Sequence, residues 1–192
     1  PEVVLHPILL PLKVNSSMIA NAILLAANAG SKVVNLSVGT LNKTYCSAMI
    51  GEAVRIAISK GVFFVFSAGN KLEDGRPGSV LSPVSEGPAV WGSTTVPTCW
   101  GRYFKGALSV AGLTSENTLS SGSNWGPAIE IAAPSENILI PDSQGNYSAA
   151  TGTSLAAPQV AAAAALVIAA HVANGWPYTP DLIEDILLNA AI

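Results

Sequence analysis

The chain has 192 residues, of which 49% are hydrophobic and 11% charged, with a formal net charge of −3, 17 Gly and 13 Pro. That length and composition suit one compact domain, residues 1–192, with a substantial core and many tight turns, and they exclude a disordered tail. Nine basic residues with no Lys/Arg run cannot supply the concentrated positive surface that nucleic-acid binding needs, so that function class is set aside.

Along the chain, apolar periodicity gives alternating strands and helices. "EVVLHPILLPLKV" reads as a β-rich opening, an edge or bent strand because Pro7 and Pro11 lack the N–H a ladder needs. "SSMIANAILLAANAG" reads as a helix with Ile19, Ile23 and Ala26 on one face and Gly30 ending it. "KVVNLSVG" is a short buried strand, and "SAMIGEAVRIAISKG" a second helix with Ile50, Val54 and Ala57 in one stripe and a stop at Gly61. "VFFVFSAGN" is a fully apolar strand running into a turn. Residues 71–101, rich in Ser, Pro, Gly and Thr and holding Trp91 and Trp100, read as a surface insertion. "GALSVAG" and "AIEIAAP" follow as strands, then a long alanine-rich helix opened by Ser154, then "TPDLIEDILLNAAI" with Thr179 as cap and Pro180 at its first position. Continuous apolar strands alternating with helices mark an α/β fold: a doubly wound, mainly parallel sheet with helices on both faces.

Other signals are thin. Cys46 and Cys99 fit either one disulfide or two buried thiols. Sequons stand at Asn15, Asn35, Asn42 and Asn146, and Asn35, inside an apolar run, is expected to be buried. The chain starts at Pro1, not at methionine, which reads as a processed or cut end with residues missing upstream. The longest apolar run, Val160 to Ala170, is shorter than the roughly 20 residues of a membrane span and mostly alanine, so a buried helix is expected and no membrane partner.

In parallel α/β sheets, ligands collect at the carboxyl ends of the strands. Ser37 and Gly39 end one strand, Gly69 and Asn70 end another, and Ser154 opens a helix. A serine at a helix start sits among unpaired N–H groups and the positive end of the dipole, which favours an oxyanion beside it. The commoner role of such a serine is to cap the helix. An asparagine amide can be a second oxyanion donor, and its commoner role is a turn residue.

Four segments occur in one order: "VVNLSVG" at 33–39, "VFSAGN" at 65–70, "SNWGPAIEIAAP" at 123–134 and "GTSLAAPQVAAAAAL" at 152–166. Together they resemble the subtilisin-like serine peptidases, whose serine region reads G-T-S-x-A-x-P-x-V-A. The resemblance runs from about Lys13 to the end. It implies that Ser154 is the nucleophile, Asn70 the oxyanion-hole amide, and the N–H of Ser154 the second donor. It also implies that Ser37, Val38 and Gly39 form one wall of the pocket for a polypeptide substrate, with Gly69 on the opposite wall and Thr153 beside the serine. The family triad needs an aspartate in D-S/T-G and a histidine in H-G-T-H, and neither motif is in this sequence. His171 stands 17 positions from Ser154, about 25 Å along a helix, where a direct bond needs about 3 Å. His6 falls in the opening segment and is not expected to serve either. The reading is therefore a serine endopeptidase portion whose N-terminal segment, carrying Asp and His on the same or a separate chain, is required for activity. The alternatives are a pseudopeptidase that binds or supports without catalysis, and an unrelated α/β ligand-binding domain with a chance serine motif. Export from the cytoplasm and calcium enter by family analogy alone. Glu73, Asp74 and Glu116 are isolated carboxylates that form no evident metal cluster.

Overall fold

The computed structural model describes residues 3–11, 13–38, 47–70, 104–126 and 128–192. The expected insertion at 71–101, Gly39 of the expected pocket and both cysteines lie outside the described residues. The elements are α1 (Ser16–Asn28), β1 (Val33–Leu36), α2 (Ala48–Ser59), β2 (Phe63–Ser67), β3 (Ala107–Leu113), β4 (Ile131–Pro134), β5 (Ile138–Pro141), β6 (Tyr147–Ala150), α3 (Thr153–Ala173) and α4 (Pro180–Ala190). Strands β1 to β4 form one sheet in that order, every pair parallel, and β5 and β6 make a separate antiparallel hairpin.

The period of two along β2 builds two cores from one strand. Phe64 and Phe66 point to the α1/α2 side, where they meet Ile23, Ile50, Val54 and Ala57. Phe63 and Val65 point the other way, to Leu108, Val110, Val160, Ile168 and Ile183. Helices therefore cover both faces, as the alternating pattern requires. The three phenylalanines of β2 are fully buried, worth roughly 1.5–3 kcal/mol each in apolar surface removed from water. Helix α3 touches all four strands and sits at the centre of its face.

Glycines set the helix ends. Gly30 (φ 83°) donates to Ala27 O while Ser31 N reaches Ala26 O, and Gly61 (φ 85°) with Val62 repeats this on α2. Both are the paired closing bonds of a left-handed helix end. At α4, Thr179 Oγ1 accepts from Leu182 N at 3.2 Å and Pro180 takes the first helical position, as expected.

Three expectations need correcting, and one element is new. Residues 3–11 form no strand, and Val3, Val4, Leu5 and Leu9 are exposed. Pro7 and Pro11 remove donors there, and no strand lies alongside among the described residues. Asn35 is exposed, not buried, because among the described residues β1 is the edge strand of the sheet and edge position outweighs local apolarity. Helix α3 is buried along one side only. Ala156, Ala157, Val160, Ala161, Ala164 and Ile168 face the sheet, while Leu166 and Val172 are exposed. By length and composition alone, α3 could cross a membrane, but in the fold it lies along the sheet. The hairpin at 138–150 was not anticipated.

Candidate active site

The site lies at the carboxyl edge of the sheet, where β1 and β2 end and α3 begins. Strand β2 runs on through buried Ala68 and Gly69 to exposed Asn70, and Gly69, at φ 86°, takes the left-handed turn that glycine permits. Across 83 positions, Asn70 meets the first turn of α3. Asn70 Oδ1 accepts from Thr153 N at 2.8 Å and from Thr153 Oγ1 at 3.1 Å. Thr153 Oγ1 in turn accepts from Gly69 N at 3.0 Å. Two donors converge on one end of the Asn70 amide, so that end is the oxygen and Nδ2, a double N–H donor, is the other end.

The helix start corrects the cap reading of Ser154. The N-cap is Gly152, with no side-chain bond of its own, and Ser154 is the second residue inside the helix. Asn70 performs the capping chemistry from another element, taking the N–H of the first helical residue. Ser154 is exposed, and its N–H belongs to the first turn, where a helix has no internal acceptor to offer. Gly152 has φ 157°, which side-chain-bearing residues rarely adopt, and a Cβ there would lie a tight 3.3 Å from Asn70 Nδ2. Gly152 N donates to Ser135 O at 2.8 Å, which ties the start of α3 to the end of β4.

Ser37 and Val38 follow β1 at the same edge and are half-buried. Asn35 Nδ2 donates to Ser37 Oγ at 3.5 Å, and Val38 packs against the α1/α2 core. The fold therefore brings Ser37, Val38, Gly69, Asn70, Thr153 and Ser154 to one edge.

Neither histidine is there. His6 Nδ1 lies 3.4 Å from Ser31 Oγ, just ahead of β1 and so at the amino edge of the sheet. His171 is near the far end of α3, with Nδ1 3.0 Å from Pro177 O and its ring edge-on to Trp176 and Tyr178. Among the described residues no three His, Cys, Asp or Glu side chains gather at one place.

One residue of the site was not singled out from the sequence, although its motif was. Asn124, in "SNWG", is fully buried and donates from Nδ2 to Ala68 O at 3.0 Å. Its backbone N donates to Gly69 O at 2.9 Å. Its presence in one of the four ordered segments was the available signal.

The sequence profile of the subtilase family matches residues 3–191. The chain belongs to the subtilase family. It is 34% identical over 181 residues to Mycosin-3 of Mycobacterium tuberculosis, covering 79% of this chain and 38% of that protein. It is 33% identical over 159 residues to Subtilisin-like protease 1 of Trichophyton rubrum, covering 82% of this chain and 27% of that one. Among solved structures, the self-cleaved protease domain of PatA superposes with a TM-score of 0.74 at 27% identity, covering 93% of this chain and 60% of that chain. This subtilase chain thus spans well under half the length of the curated relatives it matches, and its subtilisin-like α/β fold is that of PatA's protease domain.

Proposed function

We propose that this subtilase chain is the serine-bearing portion of a serine endopeptidase that cleaves polypeptides through an acyl-enzyme on Ser154. The observation that carries the reading is the Asn70–Thr153 pair of bonds, which puts an amide donor beside the first turn that holds Ser154. Ser154 Oγ attacks the scissile carbonyl, and the carbonyl oxygen takes the negative charge. Asn70 Nδ2–H and Ser154 N–H donate to that oxyanion, at a helix N-terminus whose dipole favours it. A histidine, oriented by an aspartate, removes the Ser154 proton and delivers it to the leaving amine. Water then hydrolyses the acyl-enzyme. The histidine and aspartate come from an upstream segment, on the same or a separate chain. Ser37, Val38 and Gly39 pair with and flank the substrate on one side, and Gly69 and Thr153 on the other. Family membership supports export of the parent protein.

The test is covalent labelling. The parent protein with its upstream segment is expected to react at Ser154 with a fluorophosphonate, the Ser154→Ala variant not to react, and residues 1–192 alone to react slowly or not at all. A parent protein that stays unlabelled ends the enzyme reading and leaves the pseudopeptidase.

A further inference from the structure

The loop that carries Asn70 is held by more than its neighbours in sequence. Residues 68 and 69 have four backbone polar groups between them, and each has a partner. Ala68 N donates to Val110 O at 2.9 Å, and Gly69 N donates to Thr153 Oγ1 at 3.0 Å. Both carbonyls go to one residue: Ala68 O accepts from Asn124 Nδ2 and Gly69 O from Asn124 N. Immediately beyond, Asn70 forms an isolated antiparallel bridge with Ser123.

Asn124 is itself anchored. Ser123 Oγ accepts from Gly112 N at 2.9 Å and donates to Asn124 O at 2.8 Å, and Ser123 N donates to Ser120 O at 2.9 Å. The grip therefore reaches back to β3, the strand next to β2. A fully buried amide must be hydrogen-bonded wherever it sits, and that alone would give Asn124 a purely structural role. What separates it from an ordinary buried amide is where its bonds from Nδ2 and the backbone N land. They fall on the two consecutive carbonyls that precede Asn70, at the left-handed turn that aims its side chain. Rotation of either peptide would swing the Asn70 amide, and a donor misplaced by about 1 Å can cost on the order of 10²-fold in rate.

We infer that Asn124 is a positioning residue for the oxyanion hole: its side-chain and backbone N–H groups lock residues 68–69 so that Asn70 Nδ2 is held ready for the developing charge. Thr153 grips the same loop from the α3 side. The inference rests on the reading of Asn70 as the oxyanion donor and adds the residue that aims it.

A double-mutant cycle in the intact peptidase, with kcat expressed per titrated active site, tests it. Asn70→Ala is expected to lower kcat by about 10²–10³-fold with little change in KM. Asn124→Leu, close in size but without the amide, is expected to lower kcat by about 10–10²-fold, again with KM within about twofold. The double variant is expected to be no slower than Asn70→Ala alone, because a donor that is gone cannot be misaimed. Asn124→Ser, milder for folding, is expected to show a smaller loss with the same lack of additivity. If the Asn124 losses multiply with that of Asn70→Ala, or if both Asn124 variants keep parental kcat, the inference is overturned while the oxyanion reading stands. If Asn70→Ala itself keeps parental kcat, the oxyanion reading fails and the inference falls with it.

Discussion

Thr153 holds Asn70 by two donors at once, its N–H at 2.8 Å and its hydroxyl at 3.1 Å, both on Oδ1. The hydroxyl also accepts from Gly69 N, so one buried side chain ties the loop to the helix and sets which end of the Asn70 amide faces outward. Thr153→Val keeps the shape and removes the hydroxyl. In the proposed intact peptidase we expect kcat to fall by roughly tenfold with KM nearly unchanged, the size of loss that goes with a weakened but present donor. Thr153→Ser restores the hydroxyl and should recover most of the rate. A Thr153→Val variant that keeps the parental rate while Thr153→Ser loses it would mean that the methyl group, not the hydrogen bonds, is what matters at this position.

Much of the fold was legible because local and global signals agree. Phe63 to Phe66 could only be a strand buried on both faces, Gly30 and Gly61 could only end helices, and Thr179 with Pro180 could only begin one. The segment at 3–11 misled because its apolar residues argue for a strand while Pro7 and Pro11 deny it the bonds. Asn35 misled because exposure on β1 is decided by strand order, which no local window contains. The β5–β6 hairpin was missed because each strand has four residues and no clean alternation, although Asp142 and Gly145 between them carried a turn signal. The candidate site residues come from ordered motifs. The bonds that assemble them span 83 positions from Asn70 to Thr153 and 56 from Ala68 to Asn124, and only the folded chain brings those partners together.

The hairpin turn predicts a pH effect of definite sign. The backbone N–H groups of Asn146 and Gln144 donate to Asp142 and hold its carboxyl below the usual aspartate range. A depressed folded-state value contributes stability above the unfolded value, and the contribution is lost as pH falls through the folded one. Asp142→Ala should therefore destabilise the protein more at about pH 7 than at about pH 2. Thermal melts of parent and variant at the two pH values read this directly. A variant offset that is the same at both, or larger in acid, contradicts the assignment.

Glu184 on α4 closes the segment entering β3. It is 7% exposed and accepts from Gly106 N at 2.6 Å and from Lys105 Nζ at 3.1 Å. Lys105 is exposed, so its ion pair contributes little, whereas a buried Gly106 N–H left without an acceptor costs about 1–3 kcal/mol. Glu184→Leu should fall in that range, Glu184→Gln should cost about half as much because the amide oxygen still accepts, and Lys105→Met should cost the least of the three because its charge stays in solvent. Urea unfolding midpoints at constant slope would rank the three. A Lys105→Met loss as large as that of Glu184→Leu would show that the ion pair, not the backbone bond, carries the stability.

Gly112 and Ser135 make the most discriminating pair of substitutions. A Cβ built at Gly112 would run into Ser135 Oγ and lie 2.6 Å from Ser135 Cβ, with Ser123 Cβ next at a harmless 3.6 Å. Gly112 lies within β3 and its φ is not left-handed, so backbone strain is not the obstacle to alanine. Ser135 is buried and cannot swing away, since its N and Oγ both donate to Leu113 O and its own carbonyl holds Gly152 N. Gly112→Ala alone should cost about 1–3 kcal/mol through overpacking. Ser135→Gly alone should cost about 1–2 kcal/mol, from one lost hydrogen bond and the added chain entropy of glycine. The double variant moves the small residue from β3 to the position just after β4 and keeps the space filled once. It should be more stable than the sum of the two losses allows, with a favourable coupling of about 1–2 kcal/mol, and its Ser154 labelling rate should return toward the parent because Gly152 regains its anchor. Strictly additive losses would show that β3 and β4 move apart to admit the methyl group, and that the start of α3 does not depend on their close approach.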